Sequence, residues 1–307
     1  MSNTLNNQLG GIIPAITSPC DEGDRFLEDE FERLACHLYQ HGINGLYVCG
    51  ATGDCRSMRV EERRHAAEIA VRVSRPFEGK VIVHIGTDDT RSAVALSEHA
   101  AGVGAAAVAS MPPPNRTLNE LVDYYSNIAK ASQLPTFVYH IPHLTGHHLS
   151  LPEFGRLLSI PGVVGIKFSG SDLFLLKRLL LAHPEIVLFC GCDELLALAL
   201  LYGAHGGIGM TYNIFPALFV QLYAAVLKGD VATALRMQHQ FMAFLDQVMN
   251  RGGIKAVLSH VMAERGFGPF SFRRPCSVLS DQARQEFDQT VGPYIRAMDK
   301  MCGSSST

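Results

Sequence analysis

The stretch VVGIKFSGSD, residues 163–172, carries an apolar run into a lysine, Lys167. Read as a strand, it puts Val164, Ile166 and Phe168 on one face and Val163, Gly165, Lys167 and Ser169 on the other. An ammonium group is rarely buried without a partner. Lys167 is therefore either solvated at a strand end or held in a pocket for chemistry. In an apolar pocket, desolvation lowers the pKa of the amine and leaves a nucleophilic neutral fraction near neutral pH. Such an amine condenses with a carbonyl to a Schiff base, whose iminium draws electrons from the neighbouring carbon.

Other residues offer matching chemistry. Tyr139, in PTFVYHIPHLTG, shares a strand face with Phe137 and Ile141. Its phenol is either a core hydroxyl with a satisfied hydrogen bond or, facing Lys167, a group that shuttles protons to and from a substrate hydroxyl. In CGATGDC, residues 49–55, Gly50 and Gly53 permit a tight turn that aims consecutive N–H groups at an anion, and Thr52 adds a hydroxyl donor. A plain strand-to-helix turn has the same composition. GCDELLALAL places Asp193 and Glu194 just after an apolar run, to meet a hydroxylated ligand or to favour a helix N-terminus. GVGAAA matches part of a dinucleotide fingerprint, but it follows a helix and opens a strand, the reverse of the required order. HIPHLTGHH gathers His140, His143, His147 and His148 without an acidic residue or a usual ligand spacing, so no metal is expected there.

The elements that must position these groups repeat. Short apolar runs at 11–17, 45–50, 80–86, 105–110, 135–141, 163–169, 185–191 and 206–211 alternate with amphipathic stretches such as LEDEFERLACHLYQHG and VEERRHAAEIAVRVS. Several stretches close on a glycine (Gly42, Gly104, Gly203), as helix C-termini often do. Strands alternating with helices imply a parallel sheet, and eight such units imply a (β/α)8 TIM barrel. We expect the barrel over 9–228, a helical extension over 229–302 in the same domain, and a disordered tail over 303–307. In such a barrel the active site lies at the C-terminal ends of the strands, where Lys167 falls.

Bulk properties narrow the class. With 307 residues, 47% hydrophobic and 18% charged, the chain has the composition of a globular protein with a sizeable core. A formal charge of −3 without a Lys/Arg block argues against nucleic acid or an anionic membrane as partner. The polar start MSNTLNNQLG carries no export pattern, and the most apolar region, LLKRLLLAHPEIVLFCGC, is broken by charges and a proline. The 8 cysteines are scattered, as reduced thiols in the cytoplasm are, and Cys190 and Cys192 are read as sharing one strand face.

GATGD, YHIPHLTG, GIKFS and GGIGMTYNIFP, in that order, resemble the dihydrodipicolinate synthase and N-acetylneuraminate lyase superfamily of Schiff-base aldolases, over residues 9–300. The resemblance implies that Lys167 forms the Schiff base with pyruvate or another 2-oxo acid and that Tyr139 is the general acid/base. It also implies that Gly50, Ala51, Thr52 and Gly53 bind the carboxylate and that the carbonyl of Ile208 takes part. The lyase branch is the more similar. Leu144 stands where synthases carry an arginine, Asp193 and Glu194 match an acidic pair that holds sugar hydroxyls, and Ser169 matches a small hydroxyl residue. Ala51 replaces a Thr or Ser, Met210 a serine, Asp54 a glutamate, and MPPPN (111–115, with Pro113) lacks a tyrosine pair.

The expectation is a cytoplasmic class I lyase needing neither metal nor organic cofactor, forming a homotetramer or homodimer. It would cleave an N-acetylneuraminate-like or 2-oxo-3-deoxy sugar acid to pyruvate and an aldehyde. A synthase-type condensation, a dehydratase and a barrel that binds a 2-oxo acid without turnover are the alternatives. No arginine occurs in YHIPHLTGHH, so a neutral hydroxylated aldehyde is expected rather than one bearing a carboxylate.

Overall fold

A computed structural model describes residues 9–249, 253–268, 270–276 and 278–303. Strands and helices alternate as β1 (Gly11–Pro14), α1 (Glu28–Gln40), β2 (Gly45–Val48), α2 (Val60–Ser74), β3 (Lys80–His84), α3 (Thr90–Val103), β4 (Ala107–Ser110) and α4 (Leu118–Ser132). The second half continues with β5 (Thr136–His140), α5 (Leu151–Leu158), β6 (Val163–Phe168), α6 (Leu173–Ala182), β7 (Val187–Cys190), α7 (Leu196–Leu201), β8 (Gly206–Gly209) and α8 (Pro216–Leu227). Local chemistry explains the boundaries. Thr117 and Glu120 exchange side-chain and backbone hydrogen bonds at the start of α4, and Asp172 accepts the Leu175 N–H at the start of α6. Gly104 ends α3 at φ 91°, a conformation glycine adopts freely.

All neighbouring strands pair in parallel, in the order β1-β8-β7-β6-β5-β4-β3-β2. The circle is completed by a single bridge between Ala15 and Tyr47, with the Ile16 N–H donating to the Tyr47 carbonyl at 3.1 Å. This is the expected TIM barrel. Two buried layers result: an inner one from side chains such as Ile13, Ile82, Phe137 and Phe189, and an outer one between sheet and helices.

One detail differs from simple alternation. Thr136 pairs with Val163 but Phe137 pairs with Gly165, so two residues of β6 face a single step of β5. The extra residue turns Val163 outward into the helical layer and Val164 inward, the reverse of the expectation. Beyond it the register is as read: Ile166 and Phe168 face the helices, and Lys167 pairs with Tyr139. The strands are also shorter than the apolar runs, so Ser169, Cys192, Met210 and Thr211 lie just past their ends. Cys190 and Cys192 therefore share no strand face.

After α8 come α9 (Val231–Met249), α10 (Ile254–Glu264), α11 (Asp281–Thr290) and α12 (Gly292–Met301). They are fastened to the barrel by specific bonds. Gln238 on α9 donates to the Asp193 carbonyl at 3.1 Å and accepts from the Ala197 N–H at 2.9 Å, while Arg265 bonds the Ile214 carbonyl and Asp299. Apart from Gly303, the expected disordered tail lies outside the described residues. Among the described residues no helix is long and apolar enough to cross a membrane.

Candidate active site

Lys167 is 3% exposed, so it is a buried amine and not a solvated strand end. Its Nζ lies 4.1 Å from the ring centre of Tyr47 and 4.0 Å from that of Tyr139. Burial pushes its pKa down to about 7, against a smaller upward pull from Asp193. The register explains the geometry: Tyr139 and Lys167 are paired neighbours on β5 and β6, and both project into the barrel. Burial holds the Tyr139 phenol well above its usual range, and the Ser169 hydroxyl beside it pulls the other way.

Sequence reasoning missed what lies beneath the amine. Tyr47 and His84 form an aromatic cluster with Tyr139, with centroids 5.9 Å apart for Tyr47–Tyr139 and 6.0 Å for His84–Tyr139. The His84 Nε2 accepts the Met111 N–H at 3.1 Å. The buried guanidinium of Arg63 donates to the His84 and Gly86 carbonyls, fixing the end of β3. Only the inward parity of Tyr47 in GLYVCG could have marked it.

The loop after β2 forms one wall. Ala51 and Thr52 line the cavity, whereas Gly50 and Gly53 lie behind it. The expected reason for these glycines is corrected: the left-handed residues are Cys49 (φ 57°) and Asp54 (φ 55°). Gly50 is needed because a side chain would strike the Tyr47 ring, and Gly53 because one would press on the Ile16 carbonyl and Ser18 hydroxyl. The turn's own bonds use the amides of Asp54 and Cys55, which leaves those of Ala51 and Thr52, at the cavity wall, for a ligand. Asp54 ion-pairs with Lys255 of α10 and accepts the Arg273 N–H at 3.3 Å, so it ties the loop to the C-terminal helices.

The cavity holds about 570 Å³ and also takes in Ser169, Asp193, Glu194, Ile208 and Met210. Asp193 is pushed up to about 6 by burial and uses one carboxylate oxygen on the Thr211 N–H (2.7 Å) and hydroxyl (2.6 Å). Phe241, Leu245, Met249 and Ile254 close the cavity from α9 and α10, a contribution no strand-end rule could reveal. The histidines do not converge. His140 packs between Phe154 and Phe168 in the outer layer, and His147 bonds the Pro113 carbonyl at 2.9 Å. His143 lines the cavity. Among the described residues no three His, Cys, Asp or Glu side chains gather as metal ligands.

A model of the "Dihydrodipicolinate synthetase family" matches residues 8–293. The chain belongs to this family. Within the family, it is 35% identical over 265 residues to the N-acetylneuraminate lyase of Enterobacter sp. (strain 638), covering 84% of this chain and 88% of that one. Its fold is similar to the wild-type sialic acid aldolase of Ruminococcus gnavus, with TM-score 0.90, 25% identity and coverage of 96% and 99%. It is likewise similar to the N-acetylneuraminate lyase of Fusobacterium nucleatum complexed with pyruvate, with TM-score 0.86, 25% identity and coverage of 96% and 97%. The Arg56 guanidinium, from the loop after β2, donates to the Leu144 carbonyl at 3.3 Å, at the wall of the same cavity.

Proposed function

We propose that the protein is a class I lyase that cleaves an N-acetylneuraminate-like or 2-oxo-3-deoxy sugar acid to pyruvate and an aldehyde. The observation that carries this reading is the desolvated amine of Lys167 against Tyr139, at the strand ends of a barrel whose 35%-identical relatives are N-acetylneuraminate lyases. The neutral amine adds to the C2 ketone, Tyr139 gives its proton to the carbinolamine hydroxyl, and water leaves, giving an iminium beside a phenolate. Tyr139 takes the proton of the C4 hydroxyl as the C3–C4 bond breaks, and the bond's electrons flow into the iminium to form an enamine. The aldehyde departs, C3 is protonated, and water releases pyruvate from Lys167. The amides of Ala51 and Thr52 and the Thr52 hydroxyl hold the 2-oxo acid's carboxylate. Ser169, beside Tyr139, supplies the relay hydroxyl that Ala51 lacks.

A barrel that merely bound a 2-oxo acid would have no use for an amine kept from its proton by burial. The barrel and its helical extension act as one domain, joined through Asp54 and Lys255 at the site. Cytoplasmic residence agrees with the lack of a disulfide among the described cysteines. Assembly as a homotetramer or homodimer is supported by the exposed Phe174 and Leu181 of α6 and Leu198 and Leu201 of α7.

A pyruvate-release assay over N-acetylneuraminate and a panel of 2-oxo-3-deoxy sugar acids tests the reading. Release from at least one, undiminished by exhaustive chelation, is expected because the imine supplies the electrophile that a metal would otherwise provide. Failure across the panel, or chelator loss restored by zinc, would sink it.

The pH dependence follows from Lys167, whose neutral form is the nucleophile. With its pKa lowered to about 7, imine formation with pyruvate should rise about tenfold per pH unit below that value and level off above it. A rise that continues to pH 10 in single-turnover trapping would mean an amine of ordinary basicity.

A further inference from the structure

We propose that Arg56 anchors a terminal anion on the aldehyde half of the substrate, so that the preferred 2-oxo acid carries a second, distal carboxylate or phosphate. This rests on the class I reading above and narrows its substrate to a 2-oxo-3-deoxy sugar acid with a terminal anion, setting N-acetylneuraminate aside as the preferred one. Arg56 lies 88 residues from Leu144 in sequence, yet its guanidinium reaches that residue's carbonyl and lines the same cavity as Lys167. The side chain is exposed, which places it at the cavity's open end.

The charges around the cavity single it out. Lys167 is held near neutrality by burial, and Lys255 is paired with Asp54. Among the described residues no carboxylate lies within ion-pair distance of Arg56. One N–H is used on Leu144, and the rest of the planar fork is free to take an oxyanion with two parallel bonds. The carboxylate beside the reacting ketone does not need it, because the amides of Ala51 and Thr52 already serve that group. Glu194, after β7, gives the cavity a second, negative wall suited to hydroxyls in the middle of the chain. A ligand with an anion at both ends and hydroxyls between satisfies all three walls. A neutral aldehyde leaves the arginine unused.

The experiment compares matched aldehydes in condensation with saturating pyruvate: succinate semialdehyde against 4-hydroxybutanal, and glyceraldehyde 3-phosphate against glyceraldehyde. Within each pair only the terminal group differs in charge. The expected result is a kcat/KM at least about tenfold higher for the anionic member of one pair, as for a hydrogen bond to a charged group. Which pair shows the preference distinguishes carboxylate from phosphate. In Arg56→Gln the ratio should fall toward one, mainly through KM, and Arg56→Lys should restore part of it. Equal or better use of the neutral member in both pairs, or a preference that survives in Arg56→Gln, would overturn the inference. Borohydride trapping of pyruvate is run on the same wild-type sample. An adduct on Lys167 without an anionic preference overturns the anchor alone, whereas no adduct overturns the class I reading and the anchor with it.

Discussion

Lys167→Met is expected to abolish turnover, by at least about 10⁴-fold, and to leave no adduct when pyruvate and borohydride are added. It is expected at the same time to make the protein more stable. The folded amine has a pKa of about 7 and the unfolded one 10.5, so between those values the unfolded chain binds more protons. The cost to folding is full below about pH 7 and fades as pH rises toward 10.5. At about 1.4 kcal/mol per unit, it amounts to roughly 4 kcal/mol at neutral pH. Methionine fills similar volume between the two tyrosine rings without that cost. Peptide mapping after trapping, together with urea unfolding at pH 7 and pH 10, checks both halves. An adduct on another lysine, or a variant less stable than the parent at pH 7, would show that the amine is not what its surroundings imply.

Tyr139→Phe should separate the two halves of the reaction. The ring packing on Lys167 is kept, so the borohydride adduct should still form. Turnover should drop by roughly 10²–10⁴, the range for losing a general acid/base. Burial keeps the phenol protonated at rest, so it gives its proton to the hydroxyl that leaves as water during imine formation, a step that bulk water replaces slowly in the variant, and the phenolate so formed accepts the substrate's C4 proton. Unchanged pyruvate release would assign proton transfer to a different group.

The eight strands were legible because each apolar run ends in a turn, and because period-two alternation orients Phe137, Tyr139 and Lys167 without any tertiary information. Proximity across the sequence was not. Nothing near YHIPHLTG announces that Arg56 will reach Leu144, and Asp54 gives no sign of the Lys255 partner that emerges two hundred residues later. The exchange of Val163 and Val164 was hidden for another reason. A bulge arises where the hydrogen-bonding needs of two strands fall out of step, and a string of apolar residues such as VVG is compatible with either parity. Gly50 and Gly53 were identified as necessary, but on the wrong ground: composition signals an unusual backbone, whereas the constraint here is the closeness of Tyr47 and Ile16.

The joining of Asp54 to Lys255 and Arg273 also has a meaning for how the molecule comes into being. A nascent chain that has just completed α8 already holds all eight strands, the amine, the phenol and the glycine-rich loop. It still lacks the wall supplied by Phe241, Leu245, Met249 and Ile254, and the carboxylate of Asp54 has no counter-ion. The enclosure of the pocket thus depends on a stretch of chain, α9 and α10, that is made after every strand and both reactive side chains.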